Sequence, residues 1–492
     1  MNNKISILHI SDLHRSKGFE ITNSALLSSL INDKDRYTTS DNPQIKSPDL
    51  IVVSGDIVRG SNMLIGSEIE LQSQYDEAID FLNELTRHFL DGDKSRIIVI
   101  PGNHDVDWKY SKESMVKVEN TKVFDEKNNF KWEYLQESIH PNSPTRWSWK
   151  DLSFYKITNN GIYLKRLEAF SKFYSAFYGS SRTYSLKPAE QIDFFDYPQF
   201  NLTVAAFNSC FNNDHLRFVG DIHPDCIAKA TLQLREFKKR GRLILGTWHH
   251  NTKGGPNESN YMDSTRLKNF INSGIVIGFH GHQHKTEVIN EYNDVIEQKK
   301  ITVFSAGTLC GGPKELPTGS NRQYNLIELE SSTENDVIKV TLHVREKSES
   351  SSLDNPIWTP GRIDSNNVSY YAFEITNPYQ IDISTVLMDI DNLMQKGDYD
   401  NAINCLMGMD LSNDFVRKFL IECILQTENH KLAIELFSKP LSHEEIIVVL
   451  NSATQLRNKS KIKEILDEIS GTEISDPSTK LIINKAKAIL NG

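Results

Sequence analysis

Cysteines are few in this sequence, with only five among 492 residues and no C-x-x-C pair. They are scattered along the chain, at Cys210, Cys226, Cys310, Cys405 and Cys423. An odd number of widely spaced thiols argues against a disulfide framework and fits a reducing compartment. We therefore expect a cytoplasmic protein.

Long hydrophobic runs and an excess of positive charge are also absent. No stretch approaches the ~18 uninterrupted apolar residues of a membrane span. The first residues, MNNKISILHISDLH, lack the apolar core and the small-residue cleavage site of an export signal. The formal net charge of −10 gives no global attraction to nucleic acid, although a local basic patch or bound cations could override it. We expect no membrane association. The net charge does not indicate which class of substrate the protein binds.

Short apolar runs, by contrast, recur six times through the first 310 residues. They are rich in β-branched residues and continuous rather than alternating, which is typical of strands buried on both faces. In order they read ISILHI, DLIVV, RIIVI, LTVAAF, RLILG and GIVIGF. Helical periodicity lies between them, for example over residues 69–90. The alternation predicts an α/β fold with a layered β-sheet core flanked by helices, over residues 1–345.

Composition divides the chain further. Residues 108–200 hold 21 of the 46 aromatic residues, which favours an inserted, mostly helical cap whose rings either stack bases or form its own core. The Ser-rich stretch EKSESSSLDNP predicts a linker over 346–380.

The sequence pattern of residues 381–492 is purely helical, with Ala402 and Ala433 at matching places 31 residues apart. This period predicts stacked helical hairpins resembling tetratricopeptide repeats, a surface that could hold a protein partner.

Polar side chains gather where these predicted strands end. Sites in open α/β sheets lie beyond the carboxyl ends of strands, so the side chains could converge on one edge. Each piece alone could be ordinary, since Gly-Asp is common turn chemistry and paired histidines can be core residues. The segments are SDLH (Asp12, His14), GD (Asp56), GNHD (Asn103, His104, Asp105), WHH (His249, His250) and HGHQH (His280, His282, His284).

Taken together and in this order, the segments resemble the five motif blocks of the calcineurin-like metallophosphoesterase superfamily. The resemblance covers residues 4 to about 330. The sequence departs from the family at two positions. Asn251 stands where the frequent H-H-P motif has its proline, and Arg59 stands where nuclease members more often carry an acidic residue.

The resemblance implies a dinuclear metal site and assigns its residues. Asp12, His14 and His284 would bind one metal, Asn103, His249 and His282 the second, with Asp56 bridging. His104 would contact the phosphate and protonate the leaving oxygen, and Asp105 would orient His104 or cap the following turn. His280 falls outside the G-H-x-H block, and a structural role is favoured for it.

The ligands are imidazole, carboxylate and amide groups without a thiolate, which favours Mn²⁺, Fe or Zn²⁺ over Ca²⁺. The family resemblance favours manganese among them.

Two such ions would activate a bridging water as hydroxide and clamp the phosphate oxygens. The favoured hypothesis is a phosphodiesterase acting on nucleotides or nucleic acid. A phosphomonoesterase, such as a protein phosphatase, is the first alternative. A partner-binding assembly protein with a vestigial site is the second.

Overall fold

The chain divides into two compact units, Met1–Gln380 and Ile381–Gly492. The computed structural model describes residues 4–18, 20–119, 123–129, 131–133, 136, 143–253, 260–294, 299–331, 337–363, 368–376, 383–407, 409, 411, 413–470 and 474–491.

The first unit contains two large sheets and one small one. A seven-stranded sheet has the order β15-β14-β13-β1-β2-β3, with β16 also paired to β14, and a six-stranded sheet has the order β11-β12-β10-β9-β8-β7. The small sheet has the order β4-β6-β5. The strands are β1 (Lys4–Ile10), β2 (Leu50–Val53), β3 (Ile97–Val99), β4 (Met115–Lys117), β5 (Thr145–Ser148), β6 (Ser153–Ile157), β7 (Ile192–Tyr197), β8 (Leu202–Phe207), β9 (Leu243–Thr247), β10 (Ile277–His280), β11 (Glu287–Asp294), β12 (Lys299–Ser305), β13 (Gln323–Ser331), β14 (Val337–Lys347), β15 (Trp358–Pro360) and β16 (Tyr370–Thr376).

Seven described α-helices belong to the first unit and seven to the second. They are α1 (Asn23–Thr39), α2 (Ser67–Phe89), α3 (Trp108–Glu113), α4 (Asn160–Leu164), α5 (Glu168–Phe177), α6 (Pro224–Lys239), α7 (Thr265–Ser273), α8 (Ile383–Gln395), α9 (Tyr399–Leu406), α10 (Asp414–Thr427), α11 (His430–Leu436), α12 (His443–Gln455), α13 (Lys459–Glu468) and α14 (Pro477–Asn491). Short 3₁₀ turns occur at Lys94–Arg96, Asn103–Asp105, Lys165–Leu167, Pro188–Glu190 and Pro198–Phe200. None of these described helices is long and apolar enough to cross a membrane.

The six apolar runs are all strands, as predicted, but they divide between the two large sheets. β1, β2 and β3 are parallel neighbours in one sheet, and β8, β9 and β10 are parallel neighbours in the other. One hydrophobic core holds side chains from both, including Ile7 and Val52 on one side and Phe279 and Phe304 on the other. The polar strand ends therefore meet from two sheets rather than along the edge of one.

Helices cover the outer faces of this pair of sheets. Apolar residues of α6 and α7, such as Leu234 and Phe270, pack with Phe207 and Ile244 of the six-stranded sheet. Helix α2 covers the predicted helical stretch and buries its apolar face, including Leu82, in the central core.

The insertion is less helical than predicted. Between residues 108 and 200 the structure describes α3, α4 and α5, but also the three-stranded sheet and β7, which pairs with β8 of the core. Nine of its rings are buried, and among the described ones those of Trp132 and Trp149 alone are exposed. Phe173 on α5 stacks on Tyr75 of α2 with centroids 4.9 Å apart. Packing rather than exposure accounts for most of the aromatic content.

The predicted linker also contains two strands. β15 and β16 both pair antiparallel with β14, extending the seven-stranded sheet. Trp358 of β15 is fully buried and its indole N–H donates to Ser29 Oγ at 2.8 Å. The Ser-rich stretch corresponds only to the loop before β15, since residues 348–357 contain its serines and form no strand.

In the residues that the structure describes, the regular elements of the second unit are all helices, and the unit has its own hydrophobic core. Ala402 of α9 and Ala433 of α11 are both fully buried in it. Each helix packs on the next along the chain, and α10, α12 and α14 also pack in series. The assignment of these helices to a repeat family stays a prediction.

Candidate metal centre

The loops that follow β1 and β2 run side by side and deliver three of the candidate ligands. The Asp12 amide donates to the Gly55 carbonyl oxygen, and the His14 amide donates to the Asp56 carbonyl oxygen, both at 3.1 Å. Because β1 and β2 are parallel neighbours, both loops leave the same edge of the sheet. Asp12, His14 and Asp56 thus come together through local backbone pairing.

Five of the seven candidate metal ligands have a left-handed backbone. Their φ angles lie between 44° and 73°, which is uncommon for non-glycine residues. Such strain costs on the order of 1–3 kcal/mol per residue and persists where the surroundings enforce it, often at functional sites. The five residues are Asp12, His14, Asp56, His282 and His284.

The first group of ligands consists of Asp12, His14 and His284, which are close enough to hold one metal ion. His284 Nε2 lies 3.1 Å from Asp12 Oδ1 and 3.4 Å from His14 Nε2. His284 Nδ1–H donates to the Glu315 carbonyl oxygen at 2.8 Å, which leaves Nε2 with its lone pair toward the group. Asp12 and His14 are fully buried.

The second group centres on the amide oxygen of Asn103. This oxygen lies 3.0 Å from His249 Nε2 and 2.9 Å from His282 Nδ1. His249 Nδ1–H donates to the Ser54 carbonyl oxygen at 2.8 Å, so its Nε2 is an acceptor in the neutral ring. In the protonated ring Nε2–H donates to the Asn103 amide oxygen, and a cation bound by both atoms would replace that proton.

Asp56 lies beside both groups. Its Oδ2 is 3.4 Å from His249 Nε2 and 3.9 Å from His104 Nε2, and its Oδ1 accepts the His104 amide at 2.8 Å. The described ion-pair partners of Asp12 and Asp56 are all histidines. Two buried carboxylates without a permanently charged partner require compensating positive charge. The donor set therefore fits divalent cations.

Electrostatics agree with this fit. Burial alone would lower the pKa of His249 and of His284, but the nearby carboxylates of Asp56 and Asp12 outweigh it and raise both pKa values to about 9. Burial lowers the pKa of His14 and of His282 to about 3, which keeps these rings in the neutral form that binds metals. The carboxylates thus attract positive charge to the positions where a cation would lie.

His104 lies at the edge of the centre and is partly exposed. Its Nδ1–H donates to the Arg59 carbonyl oxygen at 2.6 Å, which fixes the ring and leaves Nε2 toward Asp56. Its ring packs against that of His14, with centroids 4.7 Å apart. The ring is therefore held beside the metal centre with one nitrogen available.

Asp105 is fully buried and braces the loops. Its Oδ2 accepts the backbone amides of Gly102 and Ile57, and its Oδ1 accepts the Tyr75 hydroxyl at 2.9 Å. These described bonds are those of a turn cap, one of the two roles the sequence suggested, and they do not include the His104 ring. Burial and the charge of Asp56 raise the pKa of Asp105 to about 7.

Two other histidines line the centre without facing the ligand groups. His280 ends β10, is buried, and lies parallel to the Trp248 ring, in keeping with the favoured structural role. His250 accepts from or donates to Ser209 Oγ at 2.9 Å, and its ring lies 4.7 Å from that of His282.

Gly55 is required where the ring of His249 lies against the backbone. A Cβ there would lie 2.4 Å from His249 Nδ1, and its φ of +101° disfavours any side chain. This contact explains why a glycine precedes Asp56 in the second motif segment.

The sequence gives no sign of several supporting groups. The carbonyl oxygens of Ser54 and Glu315, which orient two of the ligands, are backbone atoms and could come from any residue type. Tyr75 is 30 residues from Asp105, and its place in the helical pattern predicts only that it is a core residue of α2. These contacts depend on how the two sheets and α2 pack together.

A polar cavity of about 570 Å³ adjoins the centre at His282. Its lining includes Asn251, Lys253, Gln283 and Lys285. Asn251, which replaces the frequent proline of H-H-P, thus lines this cavity and donates to Gln283 Oε1 at 3.3 Å.

The family model for calcineurin-like phosphoesterases matches residues 5–286, more than half of the chain. The protein belongs to this family. It is accordingly a metallophosphoesterase, a hydrolase of phosphoester bonds, and the family implies a dinuclear divalent metal site.

Similar solved structures include a dimetal phosphatase from Danio rerio, at 9% identity and a TM-score of 0.35, covering 72% of this chain and 98% of that one. A metallophosphoesterase from Sphaerobacter thermophilus is 13% identical with a TM-score of 0.25, covering 66% of this chain and 83% of that one. No curated protein matches the sequence.

Proposed function

We propose that this enzyme is a phosphodiesterase that acts on nucleotides or nucleic acid. The observation that carries the proposal is the polar cavity beside His282, which has room for an organic group much larger than phosphate. Its wall carries both signs of charge, with Lys253 and Lys285 beside Glu287 and Glu315, and Lys285 is paired with Glu287 at 3.0 Å.

Seven residues would hold the two metals. Asp12, His14 and His284 would bind the first ion and Asn103, His249 and His282 the second, with Asp56 contacting both. The proximity of each group and the lone pairs facing its centre support this assignment. When bound, the two cations would supply a nucleophile at neutral pH and neutralise charge on the phosphoryl oxygens. We favour Mn²⁺ for these sites, with Fe and Zn²⁺ as alternatives.

His104 would act as the proton donor to the leaving oxygen. Because Nδ1–H is committed to the Arg59 carbonyl, the proton for transfer would be carried on Nε2, which faces Asp56 and the metal centre.

Asp105 would act as a positioning residue rather than a catalytic one. Its carboxylate joins the backbone of the Asp56 loop to that of the Asn103 loop through Ile57 and Gly102. Both loops carry candidate ligands, so this bridge would set their separation.

A phosphomonoesterase is the alternative that one observation favours. Nine rings of the insertion that could have stacked bases are buried instead, including Phe170, Phe173 and Phe177. Their burial removes one argument for nucleic acid, while the cavity beside His282 remains.

We further propose that the helical unit binds a protein partner, since stacked helical hairpins offer extended surfaces. An assembly protein with a vestigial site is the weakest alternative, because all seven candidate ligands are present.

The proposal is tested by removing metal, adding Mn²⁺, and comparing hydrolysis of bis-p-nitrophenyl phosphate with that of p-nitrophenyl phosphate. We expect diester cleavage that falls at least about 1000-fold in Asp56→Asn and about 100-fold in His104→Ala. Asp91→Asn, at a fully exposed carboxylate, and His88→Ala, at the end of α2, are matched controls that should retain activity. Cleavage of the monoester alone would replace the proposal with the phosphomonoesterase.

A further inference from the structure

A second cavity, of about 500 Å³, lies where the insertion meets the loops of the metal centre. Its lining includes Asn62, three residues beyond Arg59, and Trp108, three residues beyond Asp105. Three residues of chain span at most ~11 Å, so both lining residues lie within that distance of Arg59 and Asp105. Its volume falls within the ~300–1,000 Å³ typical of small-molecule sites.

Part of the cavity wall is apolar and aromatic. Trp108 of α3 and Tyr155 of β6 both line it, together with Met115 and Leu216. Trp108 is half-buried rather than enclosed, so it remains accessible from the cavity. An indole, a phenol ring and a thioether suit a flat, apolar-faced group such as an aromatic ring.

The polar part of the wall offers two hydrogen-bond acceptors. Asp151 Oδ2 accepts the hydroxyls of Ser148 and Tyr155 at 2.9 and 3.0 Å, and these bonds lower the pKa of Asp151 and keep it ionised. The fixed carboxylate suits a ligand that presents N–H groups.

His215 supplies the second acceptor through its tautomer. The Ser111 hydroxyl donates to the Trp108 carbonyl oxygen at 2.9 Å, so Ser111 Oγ accepts from His215 Nδ1–H at 2.8 Å. His215 Nε2 therefore carries a lone pair, and burial lowers the pKa of His215 and keeps the ring neutral.

Two lysines complete the lining, Lys112 of α3 and Lys150 in the turn between β5 and β6. Their ammonium groups suit an anionic group attached to the ring-bearing part of a ligand. An aromatic wall, two acceptors and two ammonium groups together match a nucleotide better than a peptide or a sugar.

We propose that this cavity binds an amino-bearing nucleobase of the substrate, with Asp151 and His215 accepting from the base and the lysines facing a neighbouring phosphate. The proposal rests on the phosphodiesterase function and names the part of the substrate bound beside the cleaved ester.

The test uses the full chain with metal removed by a chelator, so that binding is measured without hydrolysis. Calorimetric titrations compare CMP, UMP and ribose 5-phosphate. CMP and UMP differ chiefly by the amino group, and ribose 5-phosphate lacks the base. We expect CMP to bind about tenfold more tightly than either.

Asp151→Asn should weaken CMP binding about tenfold, the effect of one hydrogen bond to a charged group. Lys150→Ala, at an exposed position that leaves the fold intact, should weaken CMP and UMP alike. Lys172→Ala is the matched control, since Lys172 is an exposed lysine of α5 paired with Glu168 at 3.0 Å, and should leave affinity unchanged.

Equal affinity for CMP and ribose 5-phosphate, or unchanged CMP affinity in both variants, would overturn the proposal. Cleavage of bis-p-nitrophenyl phosphate needs no base, so it reports on the phosphodiesterase proposal separately. An active enzyme that does not discriminate CMP from ribose 5-phosphate would keep the function and refute the base site.

Discussion

Replacing Gly55 by alanine should displace His249 and disable the second half of the metal centre. The new Cβ would lie 2.4 Å from His249 Nδ1, where ordinary contact begins at 3.4 Å. The ring would have to move by about 1 Å, a displacement that can cost about 100-fold in rate. We expect kcat/KM for bis-p-nitrophenyl phosphate to fall by this factor, with weaker Mn²⁺ binding measured by calorimetry.

Gly92→Ala separates the clash from backbone strain. Gly92 also has a positive φ, of +82°, but a Cβ there would meet nothing within 4 Å. Both substitutions should lower the free energy of unfolding by about 1–2 kcal/mol through the left-handed backbone alone. Only Gly55→Ala should lose activity. Wild-type kcat/KM and Mn²⁺ affinity in Gly55→Ala would refute the role assigned to His249.

Three further predictions concern the supporting structure. Arg146→Met leaves Asp214 buried without its ion-pair partner, which lies 2.7 Å away, and should cost about 3–5 kcal/mol of stability in urea unfolding; a loss under 1 kcal/mol would contradict this. Burial alone would raise the pKa of Glu328, but hydrogen bonds from a histidine and a lysine lower it from 4.5 to about 2. The stabilisation that the ionised Glu328 gives the folded state is present above pH 4.5 and lost toward pH 2. The difference in free energy of unfolding between wild type and Glu328→Gln should therefore shrink across this range, and a constant difference would contradict the prediction. Tyr75→Phe removes the hydroxyl donor to Asp105 and should lower kcat about 3- to 10-fold with KM unchanged, whereas a change in KM alone would argue against a positioning role.

The sequence was sufficient for features encoded locally. Each of the six apolar runs forms a strand because its β-branched residues are buried on both faces, as Leu50–Val53 illustrates. Helix α2 follows from its own periodicity. The candidate ligands could be proposed because they follow strands and together match the motif blocks of the family.

Features that depend on distant partners could not be predicted. The ligands meet between two sheets because β1 and β10 face each other across a shared core, a pairing no local pattern encodes. β15 and β16 follow the Ser-rich stretch and form strands by pairing with β14. The contact of Phe173 on α5 with Tyr75 of α2 joins residues that are distant in the chain.

The contacts of the Asp105 carboxylate could not be predicted for the same reason. Its sequence neighbours suggested either an orienting partner for His104 or a turn cap. Its contacts include the nearby Gly102 amide, as in a turn cap, and also Ile57 and Tyr75, which are remote in the chain.

The most direct test of the account is the number and place of bound metal ions. Metal-free protein would be reconstituted with Mn²⁺, its metal content measured, and the ions located by anomalous diffraction. We predict two ions per chain, one among Asp12, His14 and His284 and one among Asn103, His249 and His282, with His282→Ala retaining only the first. A single ion in the wild type, or ions bound elsewhere, would contradict the dinuclear centre.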